Sequence, residues 1–231
     1  MHDFFQTSMF AGVTISVAAY IIGEFIRKKL KTNLFNPLLI SIAFTIAVLV
    51  VARIDYDIYN QGAVYLSWFL TPATVCLAIP LYEQWELLKN NIKAVLVGLL
   101  SGVITSLGTV FILAKILKLS HAEYVTLLPK SITTAVGIGV SEELGGYVTI
   151  TVAVIIITGI LGNITGELLC KIFKITEPIS KGLAFGASSH AIGTAKAMEI
   201  GEVEGAMSSL AIAVTGILTV VFSAVFANFI K

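Results

Sequence analysis

Apolar runs of about 20 residues, separated by short charged stretches, are the feature that most constrains how this chain can fold. Hydrophobic residues make up 57% of the sequence and charged residues 13%, whereas a soluble domain carries about 25% charged residues. The 231 residues leave room for about six to eight helical segments. Because no alternating barrel pattern is visible, we predict an all-α, polytopic membrane protein with a single membrane domain over 1–231.

The first half of the chain, 1–119, is predicted to form mainly full spanning helices at about 9–25, 37–51, 63–82 and 92–117. The first of these is interpreted as a retained helix rather than a signal peptide, because it lacks a basic leading region. Arg27, Lys28, Lys29 and Lys31 follow it and are expected on the cytoplasmic side. The polar stretch 53–62 is expected to be an external loop, and Pro72 and Pro80 are expected to break the third segment.

The second half, 120–231, contains spanning segments at about 147–169 and 205–230 and two shorter polar elements at 129–143 and 182–199. If the first element enters and leaves on the outer side, Lys171, Lys174 and Lys181 lie in the cytoplasm, as basic loops usually do. The second element can then enter and leave from the cytoplasm. Two such elements of opposite approach are typical of inverted-repeat transporters. A broken crossing helix is the alternative for the same composition.

Each polar element combines a helix break with hydroxyl groups and a titratable side chain. In the first, Pro129 is expected to open a helix, and in the second, Gly186 is expected to supply the bend. Helix N-termini with free N–H groups and a nearby Lys attract anions, so a small carboxylate is the expected ligand. The candidate substrate-binding residues are Lys130, Ser131, Thr133, Thr134, Ser188, Ser189, His190 and Thr194.

Structural alternatives exist for these residues. Lys130 could only extend to the lipid headgroups, and the Ser and Thr hydroxyls could only bond to the backbone or join helices. His190 lies between short apolar runs at membrane depth, where an ionisable residue favours a role in substrate or proton handling, or it could be buried and satisfied by neighbouring hydroxyls. Glu167 could carry a proton or lie at an interface, and both alternatives stay open.

Several classes of function are disfavoured. The net charge of +1, without basic runs among aromatics, gives no indication of a nucleic-acid partner. Cys76 and Cys170 lack metal-site spacing, so neither a metal nor another cofactor is predicted. The sequence has no G-x-S-x-G, H-E-x-x-H or phosphate-loop motif, so an enzyme is not expected.

Several short motifs, in order along nearly the whole chain, resemble the LrgB/CidB family of bacterial membrane proteins, and more closely its CidB-like branch. They are 56–62 (YDIYNQG), 72–75, 78–82, 127–133 (LLPKSIT), 141–146 (SEELGG), 181–186, 187–195 (ASSHAIGTA) and 204–210. The resemblance implies a small holin-like partner of the LrgA/CidA type and modulation of murein hydrolases, autolysis and cell death. A similar plant plastid protein exchanges glycolate and glycerate, and some bacterial relatives are tied to pyruvate uptake.

From the residues and the resemblance together, we expect a transporter of small monocarboxylates of the pyruvate, glycolate and glycerate class, linked to the control of autolysis. The alternative is a holin-like pore, or a regulator of murein hydrolase export. The expected location is the bacterial plasma membrane, and the expected assembly is a homodimer or larger.

Overall fold

A computed structural model describes residues 10–30, 36–76 and 78–230, and every regular element in these ranges is helical. The predicted all-α class is therefore confirmed. In chain order the helices are α1 (Ala11–Leu30), α2 (Pro37–Ala52), α3 (Tyr56–Ser67), α4 (Leu70–Cys76), α5 (Ala78–Glu83), α6 (Trp85–Leu117), α7 (His121–Leu127), α8 (Thr134–Glu143), α9 (Val148–Ile172), α10 (Pro178–Ile200) and α11 (Glu202–Phe226), followed by a 3₁₀ turn, Ala227–Phe229. Met9 and Lys31, which belong to the predicted first segment and basic cluster, lie outside the described residues.

The chain divides into two compact units, Met1–Cys76 and Leu77–Lys231. In the first unit, α1 packs against α2 and α3. Gly12 allows the closest approach, because a Cβ atom there would collide with the Tyr59 carbonyl oxygen and the Ala63 amide nitrogen of α3. The hydroxyl groups of Ser16 and Tyr59 also lie 2.7 Å apart. The single-domain prediction for 1–231 stays a prediction.

The predicted external loop at 53–62 is wrong, because most of this stretch lies in α3. The Tyr59 hydroxyl of this stretch bonds Ser16 of α1, and Gly62 is buried. The predicted helix at 37–51 is confirmed by α2, whose amide groups at Leu38 and Leu39 donate to the Asn36 side chain.

The third predicted segment, 63–82, is not one helix. It includes the end of α3, then α4 and α5, and Pro72 and Pro80 are each the third residue of a helix. In the first turn of a helix the amide groups have no intrahelical partner, so proline is tolerated there. The new helices therefore begin two residues before the prolines.

Three helical segments of the second unit are long and apolar enough to span a bilayer: Trp85–Leu117, Val148–Ile172 and Glu202–Phe229. From Val95 to Ala114 the buried residues of α6 recur every three or four positions and form one stripe. One end of this stripe, including Leu99, packs against Leu183 and Met207. The other end, including Leu107, packs against Tyr124 and Leu128. The stripe of α6 thus contacts the second polar element at one end and, at the other, the residues that lead into the first.

Residues 121–143 form a helical hairpin, here called the first hairpin, from α7, a turn and α8. Ser120 and Glu123 form a capping box that starts α7, and the hydrogen bonds from Ser120 lower the pKa of the Glu123 carboxyl. The base of the hairpin is fixed by His121 Nδ1, which donates to the Ile230 carbonyl oxygen at 2.6 Å.

The two arms of the first hairpin run in opposite directions. Ser131 at the tip has reached Ser106, in the middle of α6, with 3.2 Å between the hydroxyl oxygens. Near the start of α9, the Thr151 hydroxyl lies 2.7 Å from Ser141 Oγ of the returning arm and 3.0 Å from the Thr126 carbonyl oxygen of the entering arm. The chain therefore enters and leaves at the same end of the unit.

Residues 178–200 form the second hairpin, because α10 contains one non-helical residue, His190, with φ 43° and ψ −138°. Before this break Gly182 lies against Glu204 and Gly186 against Ser208 of α11. After it, Thr194 bonds Ser208 at 2.7 Å and Met198 lies against Gly205. The first arm of α10 contacts α11 at Glu204 and then Ser208, and the second arm contacts it at Ser208 and then Gly205. This element therefore also returns to the end at which it starts. The prediction of two broken or re-entrant elements is confirmed.

Two details of these elements were predicted wrongly. Pro129 does not open a helix: it lies in the turn, and α8 begins at Thr134 after the cap residue Thr133. Gly186 does not supply a bend: it is helical, and a Cβ atom there would collide with the Ser208 carbonyl oxygen. Glycine at 186 allows close helix packing, and the break lies four residues later at His190.

Candidate functional site

The two hairpins approach each other from opposite ends of α6. The second hairpin places Leu183 beside Gly98 and then Ala187 beside Gly102, so it advances with α6 toward the middle. The first hairpin advances from the other end as far as Ser106. Ala187 and Ser131 thus meet α6 about one helical turn apart, and both hairpins also reach Ile155 of α9, through Gly137 and His190.

A groove of about 600 Å³ lies between α6, the first arm of α10 and the tip of the first hairpin. Hydroxyl groups from all three elements face it, and small residues widen it. The lining residues are Ala94, Gly98, Ser101, Gly102, Thr105, Ser106, Thr109, Lys130, Ser131, Ile179, Ser180, Leu183, Ala184, Ala187 and Ser188. Three of the predicted site residues, Lys130, Ser131 and Ser188, are therefore brought together.

Lys130 is the one charged side chain among the described residues that line the groove. Its ammonium group donates to Ser131 Oγ at 2.9 Å, and Ser131 Oγ lies 3.2 Å from Ser106 Oγ. The side chain is half-buried and its cation is held among hydroxyls, so it can attract an anion that enters the groove.

His190, Ser189 and Thr194 do not line the groove. His190 is buried and its Nε2 donates to the Ile155 carbonyl oxygen at 3.0 Å, while its ring occupies the space left by Gly159. Ser189 lies against Gly162, which is on α9 as Gly159 is. These contacts, together with the Thr194 to Ser208 bond, hold the second hairpin against α9 and α11.

Thr133 and Thr134 also lie outside the lining. Thr133 occupies the cap position of α8 without a side-chain cap bond, and its carbonyl accepts from Gly137 N at 2.9 Å. The predicted pair of helix starts at Pro129 and Gly186 is therefore replaced by one helix start at Thr134 and one backbone break at His190.

Glu167 lies outside the groove too. Its carboxylate is 3.3 Å from Lys196 Nζ, and Lys196 also pairs with Glu199 at the same distance. This ion pair joins α9 to the returning arm of α10. Neither of the two roles considered for Glu167, proton carrier or interface residue, is excluded by the contact.

The contribution of α6 to the groove was not predicted from the sequence. Ser101, Thr105 and Thr109 are spaced four residues apart, in register with Gly98 and Gly102, and Ser106 lies next to them. A stripe of hydroxyl groups and glycines on an otherwise apolar helix was the available signal.

Comparisons with known proteins show the family of this chain. The model of the LrgB-like family matches residues 16–229. The chain belongs to the LrgB-like family. The antiholin-like protein LrgB of Bacillus subtilis (strain 168) is 40% identical over 224 residues, covering 96% of this chain and 97% of the relative. The protein of the same name from Bacillus cereus (strain B4264) is 40% identical over 220 residues, covering 95% and 96%.

No solved structure matches this chain. The family match and the three long apolar segments together identify a multi-pass bacterial membrane protein. These relatives carry the name LrgB, and the closer resemblance to the CidB-like branch stays a prediction.

Proposed function

We propose that this LrgB-like protein carries small monocarboxylates across the bacterial membrane through the groove between α6 and the second hairpin. The observation that supports the proposal is the meeting of two opposed hairpins beside a groove that contains Lys130 among hydroxyl groups. Broken helices that meet near the membrane midplane are the usual site of substrate binding in transporters with inverted repeats.

The proposed recognition follows from the lining. The Lys130 ammonium pairs with the substrate carboxylate, and the hydroxyls of Ser131, Ser106 and Ser188 bond to it or to the neighbouring keto or hydroxy oxygen. A hydrogen bond to a charged group contributes about 1.5–3 kcal/mol. Pyruvate, glycolate and glycerate share this carboxylate and adjacent oxygen, so they form the proposed substrate class.

Alternating access would come from small movements of the hairpins. Ser189, His190 and Thr194 are proposed to position the second hairpin rather than to touch the substrate, because they face α9 and α11. Coupling to a proton through His190 or Glu167 stays a prediction.

The test is uptake of labelled pyruvate, glycolate and glycerate into proteoliposomes, with and without a pH gradient. We expect saturable uptake, competition among the three acids, and a KM raised about 10- to 100-fold in Lys130→Gln, the equivalent of the lost charged hydrogen bond. Lys118→Gln, outside the groove, is the control and should leave KM unchanged. Non-saturating leakage that is indifferent to Lys130 would contradict the proposal.

The second candidate is a role in the control of holins, favoured by the name antiholin-like that the Bacillus relatives carry. In this proposal the chain is a non-enzymatic regulator of autolysis that works with a small holin-like partner or as a homo-oligomer. Transport could underlie this role by changing the proton gradient. A Lys130→Gln protein that no longer transports but still alters autolysis would separate the two functions.

A further inference from the structure

A second cavity, of about 430 Å³, lies on the side of the second hairpin facing the end of α9. It is here called the basic cavity. Its apolar part is formed by Cys170, Ile175, Phe185 and Ile200, and Phe185 is only 3% exposed. The basic cavity is distinct from the groove: Phe185 lines it, whereas the groove is lined by Ala184, Ala187 and Ser188 of the same arm.

Three lysines line the basic cavity: Lys171, Lys174 and Lys181. Lys171 lies in the last turn of α9, and Lys181 lies in the first turn of α10. Lys174 lies between the two helices and has φ 55°. Because the chain turns between α9 and α10, the three lysines of this short segment line one cavity instead of forming one stripe on a helix.

The charge of this space is positive. Glu167 also lines it, but its carboxylate is already paired with Lys196 at 3.3 Å. Lys181 Nζ is 4.0 Å from Glu204, at the limit of an ion pair. Within the described part of the chain, no acidic side chain pairs with Lys171 or Lys174. Lys171 and Lys174 are exposed and Lys181 is half-buried, so their ammonium groups are accessible to a ligand with negative charge.

We propose that the basic cavity binds the headgroup of an anionic phospholipid from the cytoplasmic leaflet. The phosphate would contact the three lysines, and the glycerol and first acyl carbons would contact Ile175, Phe185 and Ile200. A free phosphate would use the lysines but would gain nothing from the apolar wall. Basic pockets between membrane helices on the cytoplasmic side bind such lipids, and basic residues favour that side.

A lipid bound at this site would contact both the end of α9, through Lys171, and the base of the second hairpin, through Lys181. A bound lipid would stabilise that base and should raise the unfolding temperature. The inference does not require transport, so it stands or fails independently of the proposed function.

The test is thermal unfolding of the full chain in a neutral detergent with added short-chain phosphatidylglycerol, short-chain phosphatidylcholine or inorganic phosphate. We expect a saturable rise in Tm with phosphatidylglycerol and no comparable rise with the other two. In the triple variant Lys171→Gln, Lys174→Gln, Lys181→Gln, the apparent affinity should fall by roughly fivefold per lysine, on the order of 100-fold in all.

A matched triple variant is Lys115→Gln, Lys118→Gln, Lys93→Gln. Lys115 lies in the last turn of a spanning helix, as Lys171 does, and Lys118 has φ 54°, close to that of Lys174. This control loses the same charge and should keep the lipid response. An equal loss in both triple variants, an equal response to phosphatidylcholine, or saturation by inorganic phosphate alone would overturn the assignment. Native mass spectrometry of retained phosphatidylglycerol gives the same comparison if either variant unfolds early.

Discussion

The backbone at His190 adopts a conformation that only glycine adopts readily, with φ 43° and ψ −138°. Such a conformation costs on the order of 1–3 kcal/mol and persists only where its surroundings impose it. Here the imidazole bonds the Ile155 carbonyl oxygen, and the hydroxyl of Thr194 donates to the His190 carbonyl. The ring contact therefore holds the tip of the second hairpin in a strained turn.

This strain can be isolated by comparing His190→Gly with His190→Ala, since both lack the ring and differ only by one Cβ atom. We expect the glycine variant to be more stable by about 1–3 kcal/mol, measured by thermal unfolding in detergent. In an ordinary helix glycine is less stable than alanine by about 0.5–1 kcal/mol. The control is Ala195→Gly in the returning arm, where we expect the glycine variant to be less stable than the native alanine. If His190→Ala were as stable as His190→Gly, the backbone at 190 would not be strained.

Among the helical elements, the second hairpin depends on contact with α11 at very short range. Gly182 and Gly186 both face backbone carbonyl oxygens of α11, which cannot move as a flexible side chain would. Small residues of this kind allow membrane helices to approach closely and pack well.

Gly186→Ala should therefore lower stability by about 1–3 kcal/mol, because the added Cβ atom collides with the Ser208 carbonyl. The control is Gly108→Ala in α6, where an added Cβ atom meets nothing within 4 Å and should stabilise by about 0.5–1 kcal/mol. Thermal unfolding of both variants measures the difference. Equal midpoints would show that the hairpin packs less tightly than described.

Much of the element pattern was predictable, because long apolar runs demand helices in lipid. The two short elements could also be predicted, since their length and charge do not suit a full crossing. The position of the break in α10 could not be predicted, because glycine at 186 is as suitable for close packing as for a bend. Likewise the polar stretch 53–62 was taken for a loop, since nothing local shows that Tyr59 meets Ser16 across 43 residues.

The site was predictable only in part, because contacts between distant residues decide which side chains face the groove. Lys130, Ser131 and Ser188 stand out locally as polar residues at membrane depth. Whether Ser188 or its neighbour Ser189 faces the groove depends on how α10 is rotated against α6 and α9. That rotation is set by contacts such as Ser189 with Gly162, which link distant parts of the chain.

At the scale of the whole molecule, two hairpins of the second unit extend toward each other from opposite ends of α6. The first enters from the end of α6 that lies near His121, and the second from the end near Leu88. The groove lies between α6, the tip of the first hairpin and the first arm of the second, and the basic cavity lies at the lysine-rich end of α9. Substrate and lipid would thus bind on different faces of the second hairpin.

The central claim, that the groove binds carboxylates through Lys130, is tested most directly by substrate protection of a cysteine. In a variant with Cys76 and Cys170 replaced by serine and alanine, Thr105→Cys puts a thiol into the groove lining and Ile104→Cys puts one on the exposed apolar surface beside it. Maleimide labelling is then followed with and without pyruvate.

We predict that pyruvate slows labelling at Thr105→Cys with saturable dependence, leaves Ile104→Cys unaffected, and loses its effect when Lys130→Gln is added. Labelling of Thr105→Cys that no carboxylate slows, or protection that persists without Lys130, would contradict the account.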